Sequence, residues 1–144
     1  MNKARIDRDL RAAYQALNNC GIVEDKNGRK EIDFSFRGQI ASFGASVSMG
    51  SLLSAIAFFS AQNSAEVARD KLMNAILFIL KADGRAAEDC QSLYAYAAER
   101  TDGKEKDCRE DILNAAIALK LAMNLYPRKG TEKKQDNGQE GRTT

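Results

Sequence analysis

From Gly38 to Ala65 the chain runs for 28 residues without one charged side chain, although Asp, Glu, Lys and Arg make up 29% of the protein. A run of that kind has to leave water somewhere, in a membrane, a core or an interface. Its length exceeds the roughly 20 apolar residues that a transmembrane helix needs. Its composition does not match a span, because Gln39, Gln62, Asn63 and scattered serines interrupt it and Gly38, Gly44 and Gly50 divide it. The densest apolar piece, Leu52 to Phe59, contains Ser54 and has the length of a buried helix in a soluble fold. Ser42, Ser46 and Gly50, at four-residue spacing, form a ladder of small residues that lets two helices approach closely.

Around this run the apolar periodicity predicts helix nearly everywhere. Over residues 2–19, Ile6, Leu10, Ala13, Leu17 and Cys20 recur on one stripe that Tyr14 widens, while Lys3, Arg5, Asp7, Arg8, Asp9 and Arg11 occupy the polar face. Gly21 is placed to end that helix. Residues 22–33 are the least helical part of the body, and Asn27-Gly28 between Ile22, Val23, Ile32 and Phe34 predicts a small hairpin or ordered loop. A second helix is expected over Phe34 to Met49 with Phe36, Ile40, Phe43 and Val47 on its stripe, and a break near Gly50 leads to a third over Leu52 to Phe59.

Asn63, three residues before Glu66, has the spacing of a capping box and is expected to open a fourth helix reaching about Lys81. Ala68, Leu72, Ala75, Ile76 and Ile79 form its stripe, with Met73, Leu77 and Phe78 outside it. A fifth helix is expected over residues 86–100 after the Asp83-Gly84 turn, and a sixth over Asp107 to Tyr126. In the sixth, Ile112, Ala115, Ala116, Leu119, Met123 and Tyr126 face one way, whereas Ile117, Leu121 and Leu125 face the other. The expected fold is all-α, a compact bundle of about six helices in residues 1–126. Residues 127–144 lack any large apolar side chain and are expected to form a disordered polar tail.

The chain contains no histidine, which removes the commonest general acid/base, the usual partner of a Ser or Cys nucleophile and a frequent metal ligand. Glu88-Asp89 and Glu110-Asp111 are adjacent pairs whose members point to different helix faces, so they read as solvated charges rather than a metal site. Three widely spaced cysteines, Cys20, Cys90 and Cys108, fit reduced core thiols and contain no CxxC pair. Cys108 lies near Lys104, Lys106 and Arg109, an environment that lowers a thiol pKa, but no orienting base accompanies it. The expectation is a protein without enzymatic activity, cofactor or metal. Residues 1–20 show no apolar signal-peptide core, which predicts a cytoplasmic protein with no membrane attachment.

What remains is binding. A fourth and a sixth helix that are each apolar on two sides imply two neighbours, and Met73, Leu77, Phe78, Ile117, Leu121 and Leu125 are the candidate protein-interface residues. Residues 1–126 hold 17 Lys and Arg against 17 Asp and Glu, so the body is no general nucleic-acid binder and any such contact needs a local patch. Arg37, at the edge of the charge-free run, is the first candidate for phosphate contact, with Lys26, Arg29, Lys30, Arg8 and Arg11 behind it. For each of these cations the competing role is an ordinary surface salt bridge, and around the turn the competing reading is a polar connector in which Glu24, Asp25, Glu31 and Asp33 balance Lys26, Arg29 and Lys30.

Phe36-Arg37, then Ile40-Ala41-Ser42-Phe43-Gly44-Ala45, then Leu52-Leu53-Ser54-Ala55-Ile56-Ala57-Phe58, stand in an order that resembles the small helical subunit of type III-B CRISPR effector complexes, the Cmr or RAMP-module complexes. The segment from Asp111 to Ala122 is similar to that family's last helix, and the resemblance covers roughly residues 3–126. It departs from the pattern at Ser51, where members often place a glycine directly before the Leu-Leu pair. The resemblance implies a non-catalytic subunit that stacks in several copies beside the guide-RNA filament, among other effector subunits, and lines the path of target RNA. The rival expectation is a cytoplasmic helical adaptor or regulator that binds another protein and never meets RNA.

Overall fold

The computed structural model describes residues 2–61, 68–100 and 103–127. They form six helices and one antiparallel two-stranded hairpin in the order α1 (Lys3–Asn19), β1 (Val23–Lys26), β2 (Arg29–Ile32), α2 (Ser35–Met49), α3 (Leu52–Phe59), α4 (Asp70–Ala82), α5 (Leu93–Ala98) and α6 (Glu105–Met123). The mostly helical architecture and the hairpin are those that the periodicity predicts.

Local chemistry sets the corners. At the end of α1, Gly21 has φ 76°, and Ile22 N–H donates to Leu17 O at 3.0 Å while Gly21 N–H donates to Asn18 O at 3.3 Å. This is a Schellman turn, and the two residues it brings together, Leu17 and Ile22, are fully buried. In the hairpin Asn27 and Gly28 both have positive φ, 56° and 82°, the pair of left-handed residues that a two-residue type I′ connection requires. Register follows, with Val23 opposite Ile32 and Lys26 opposite Arg29. The hairpin base is tied to the other end of the body by Ile32 N–H donating to Pro127 O at 3.0 Å.

α6 is central, packing against α1, α2 and α4. Every residue of its first stripe, Ile112, Ala115, Ala116, Leu119 and Met123, is buried, as is Tyr126, which lies beyond the helix end at Met123 rather than within it. The four stripe residues of α2, Phe36, Ile40, Phe43 and Val47, are buried too. Phe43 meets Phe59 of α3 edge to face at 5.4 Å, so the two halves of the charge-free run fold onto each other. Gly50 breaks the run in extended conformation, and Arg109 of α6 donates to the carbonyls of Val47 and Gly50 at 3.2 and 3.5 Å, capping the end of α2 with a cation.

Three expectations change. Ala68 and Arg69 are not helical, so α4 begins at Asp70; the Asn63 to Glu66 capping box itself lies outside the described residues. The fifth helix is one short element rather than residues 86–100. A second Schellman turn, with Arg85 N–H on Leu80 O at 2.8 Å, leads into an irregular segment, and the helix starts only where Ser92 Oγ accepts Ala95 N–H at 3.0 Å. Finally, the charge-free run, whose lack of charge predicts burial partly in the core and partly against a neighbouring chain, leaves Ala41, Ser42, Ala45, Ser46, Ser48, Met49 and Phe58 exposed in the single chain. Of the disordered tail expected over residues 127–144, Pro127 is ordered, its carbonyl accepting Ile32 N–H, and residues 128–144 lie outside the described residues.

Candidate functional site

The six candidate cations lie on three separate elements. Lys26 and Arg29 are cross-strand partners beside the hairpin turn, with Lys30 opposite Asp25, and all three are exposed. The tight turn holds them on a short arm. Arg8 and Arg11 project from α1 and line one small cavity with Asp9 and Asp83, where Arg8 approaches Asp83 at 3.8 Å. Arg37 sits in the first turn of α2, half-buried, with no ion pair among the described residues. Its helix start is fixed by Asp33, whose carboxylate accepts Ser35 N–H at 2.9 Å.

The densest charge cluster was not visible in the sequence. Arg5 from α1 bridges Asp83, at the end of α4, and Asp111 of α6, at 3.4 and 3.2 Å. Arg85 reaches the same two carboxylates, at 3.3 Å to Asp83 and in close contact with Asp111. Asp9, expected on the solvated face of α1, is instead 3% exposed, with no hydrogen bond or ion pair among the described residues. Burial, then the nearby Asp83 and Asp111 charges, push its pKa up to about 6. Asp111 is likewise buried rather than solvated, and burial raises its pKa although Arg85 opposes the shift. Only the fold joins residues so far apart in the chain. They form a structural junction of three elements, and among the described residues no group of acidic or sulfur ligands is arranged to hold a metal ion.

Cys108 is the clearest electrostatic correction. Its thiol is buried and its pKa is raised to about 11, first by desolvation, with Arg100 opposing. Arg109, expected to activate it, is turned toward the end of α2.

The candidate protein-interface residues divide by burial. Met73 and Leu77 are buried in the chain's own core and offer a partner no surface. Phe78 and Ile117 are partly buried against that core. Leu121 and Leu125 are 44% and 61% exposed, and Tyr126, next in the chain, stacks on Tyr14 with ring centroids 5.1 Å apart. A larger opening, of about 820 Å³, runs between α2 and α6 with Ala41, Gly44, Ala45 and Ser48 on one wall and Leu113 and Ile117 on the other. The Ala41, Ala45 spacing carried a hint of it, but the wall from α6 was not foreseeable.

Taken together the fold and its surfaces define a small helical domain with a charged but net-neutral hairpin, whose cations gather at the turn, and uncovered apolar faces. Protein-family models, curated proteins and solved structures offer no match to the chain. No helix among the described residues is long and apolar enough to cross a membrane.

Proposed function

We propose that this protein is a non-catalytic small subunit of a type III-B RNA-guided CRISPR effector ribonucleoprotein, stacking beside the guide-RNA filament and lining the target-RNA path. The observation that carries the structural side of this reading is the hairpin arm, which presents Lys26, Arg29 and Lys30 to solvent from a turn of fixed geometry. The strands also carry Glu24, Asp25 and Glu31, so the arm is neutral as a whole, and it is the local gathering of three cations at its turn that suits contact with a phosphate backbone whose sequence is read elsewhere, by base pairing. Arg37, with no ion pair of its own among the described residues, can extend such a contact. The order of motifs in the charge-free run supports the same reading.

The test is co-expression of the tagged full chain with its genomic neighbours, followed by purification. Co-elution with RAMP-type repeat proteins and a short RNA is expected. Reversing charge at Lys26, Arg29 and Lys30 together is expected to weaken target-RNA retention and reduce its salt dependence by about one unit of slope per lost phosphate contact, with the fold intact. Unchanged retention in the assembled complex would overturn the placement.

A second reading, a helical adaptor that binds protein alone, is favoured by the exposed Leu121, Leu125 and Phe58. Co-elution with a protein partner and no RNA would select it.

A further inference from the structure

α2 carries a face that its own fold does not use. Ala41, Ser42, Ala45, Ser46 and Ser48 are exposed and uncharged, and a methyl group added at Gly44 would meet no atom within 4 Å. Solvated helix faces ordinarily carry charge. A face of small neutral residues loses little hydration when covered and lets another helix come close. Across the groove, α6 supplies Leu113 and Ile117, both partly buried against the core.

Along this groove, which Lys3 of α1 also lines, one helix carries opposite charges, Glu110 and Lys120, both exposed and neither in an ion pair among the described residues. Ten residues separate them, about 15 Å along the axis. Leu113 and Ile117 lie between, and both pairs are centred on residue 115. An antiparallel copy of α6 centred there sets Glu110 against Lys120 and Leu113 against Ile117, in both directions at once. The pattern is self-complementary, as a twofold interface requires.

We propose that the free chain pairs with a second copy of itself about a twofold axis, each copy laying its α6 along the other's α2/α6 groove. The apolar contact is Leu113 on Ile117, and the charges at the ends fix direction and register. Two helix faces of this length bury on the order of 1,000 Å² in total, the low end for specific interfaces, where weak complexes lie, so a micromolar affinity is the one to test for. The pairing differs from head-to-tail stacking and needs no RNA, so its failure leaves the RNA reading standing.

Sedimentation velocity of the full chain across about 1 to 200 µM, a range centred on such an affinity, tests it. The wild type is expected to shift from monomer to dimer and stop there. Glu110→Lys and Lys120→Glu are each expected to be monomeric alone, because each sets like charges against each other at both ends, and to dimerise when mixed in equal amounts. Gly44→Leu puts a better helix former into the groove at a position where the added Cβ meets no other part of the chain within 4 Å; it is expected to keep the circular-dichroism spectrum and weaken dimerisation at least tenfold. A wild type that stays monomeric, or an equal mixture that does, would overturn the proposal. Growth past the dimer would also overturn it, since that marks an open heterologous contact.

Discussion

On one side of α6, Asp111 is 9% exposed and binds Arg5 and Arg85 from two other parts of the chain; on the adjoining side Glu110, the preceding residue, stands in solvent with no ion pair among the described residues. Successive residues on a helix point about 100° apart. That angle is enough to take one carboxylate into the α1/α4 junction and leave its neighbour on the edge of the α2/α6 groove. The junction is closed, with Asp83 and Asp111 paired to arginines across elements and Asp9 enclosed beside them. The groove is open, and its small side chains leave space rather than fill it. Closed regions of this kind specify how elements are oriented, whereas open ones remain for partners.

The largest effect should come from breaking the closed side. Asp111→Ala strips a partner from Arg5 and Arg85 in a partly buried site and is expected to destabilise the chain by about 3 kcal/mol, lowering the melting temperature by about 10 °C. Thermal unfolding checks it, and a shift under 2 °C would make the junction no more than a surface feature. Glu110→Ala, one residue away, is expected to change stability by less than about 0.5 kcal/mol.

Asp9 sharpens the contrast with a pH dependence. Its pKa in the folded protein, about 6, lies above the ordinary 3.8, so the folded chain binds the proton more tightly. Its contribution to stability is therefore fully present at low pH and is lost as pH rises from about 4 through about 6. Asp9→Asn is expected to stabilise the protein by about 2 kcal/mol at pH 7.5 and hardly at all near pH 4. Denaturant melts at the two pH values measure the difference, and equal shifts would contradict the buried, uncompensated carboxylate.

On the open side the expected sign is reversed for a core-like substitution. Gly44→Ala adds a methyl group in free space within a helix, and about 0.5 to 1 kcal/mol of stabilisation is expected at protein concentrations too low for pairing. A loss of stability would show that the groove wall is tighter than it stands. The smallest effect concerns reactivity: Cys20 and Cys90, half-buried, should react with an aromatic disulfide reagent before Cys108, which is enclosed and has its thiol pKa near 11. Fast labelling of Cys108 in the native protein would break that ordering.

The elements most legible in the sequence were those in which one local signal repeated. Phe36, Ile40, Phe43 and Val47 announce α2 because a single face is buried, and Asn27-Gly28 announces the hairpin because few residue pairs accept positive φ twice. The apolar positions in residues 86–92 suggest more helix than forms, because the turn after α4 redirects the backbone until Ser92 can cap a new helix. Asp9 was placed on a polar face because a charge at a helical position ordinarily faces water. The candidate cations could be named one by one, but their distribution over hairpin, α1 and α2 follows from packing.

The sequence by itself determined a helical domain broken at Gly21, Gly28 and Gly50, without histidine and with a neutral body, because backbone preference, apolar period and composition act over a few residues. Tertiary structure alone decided that Met73 and Leu77 are core while Leu121 and Leu125 are surface, that Cys108 is shielded, and that α2 keeps an uncharged face open. Two apolar faces on a helix fix how much surface must be covered. Which one the chain covers with itself depends on residues far away in sequence, and no local period encodes that choice.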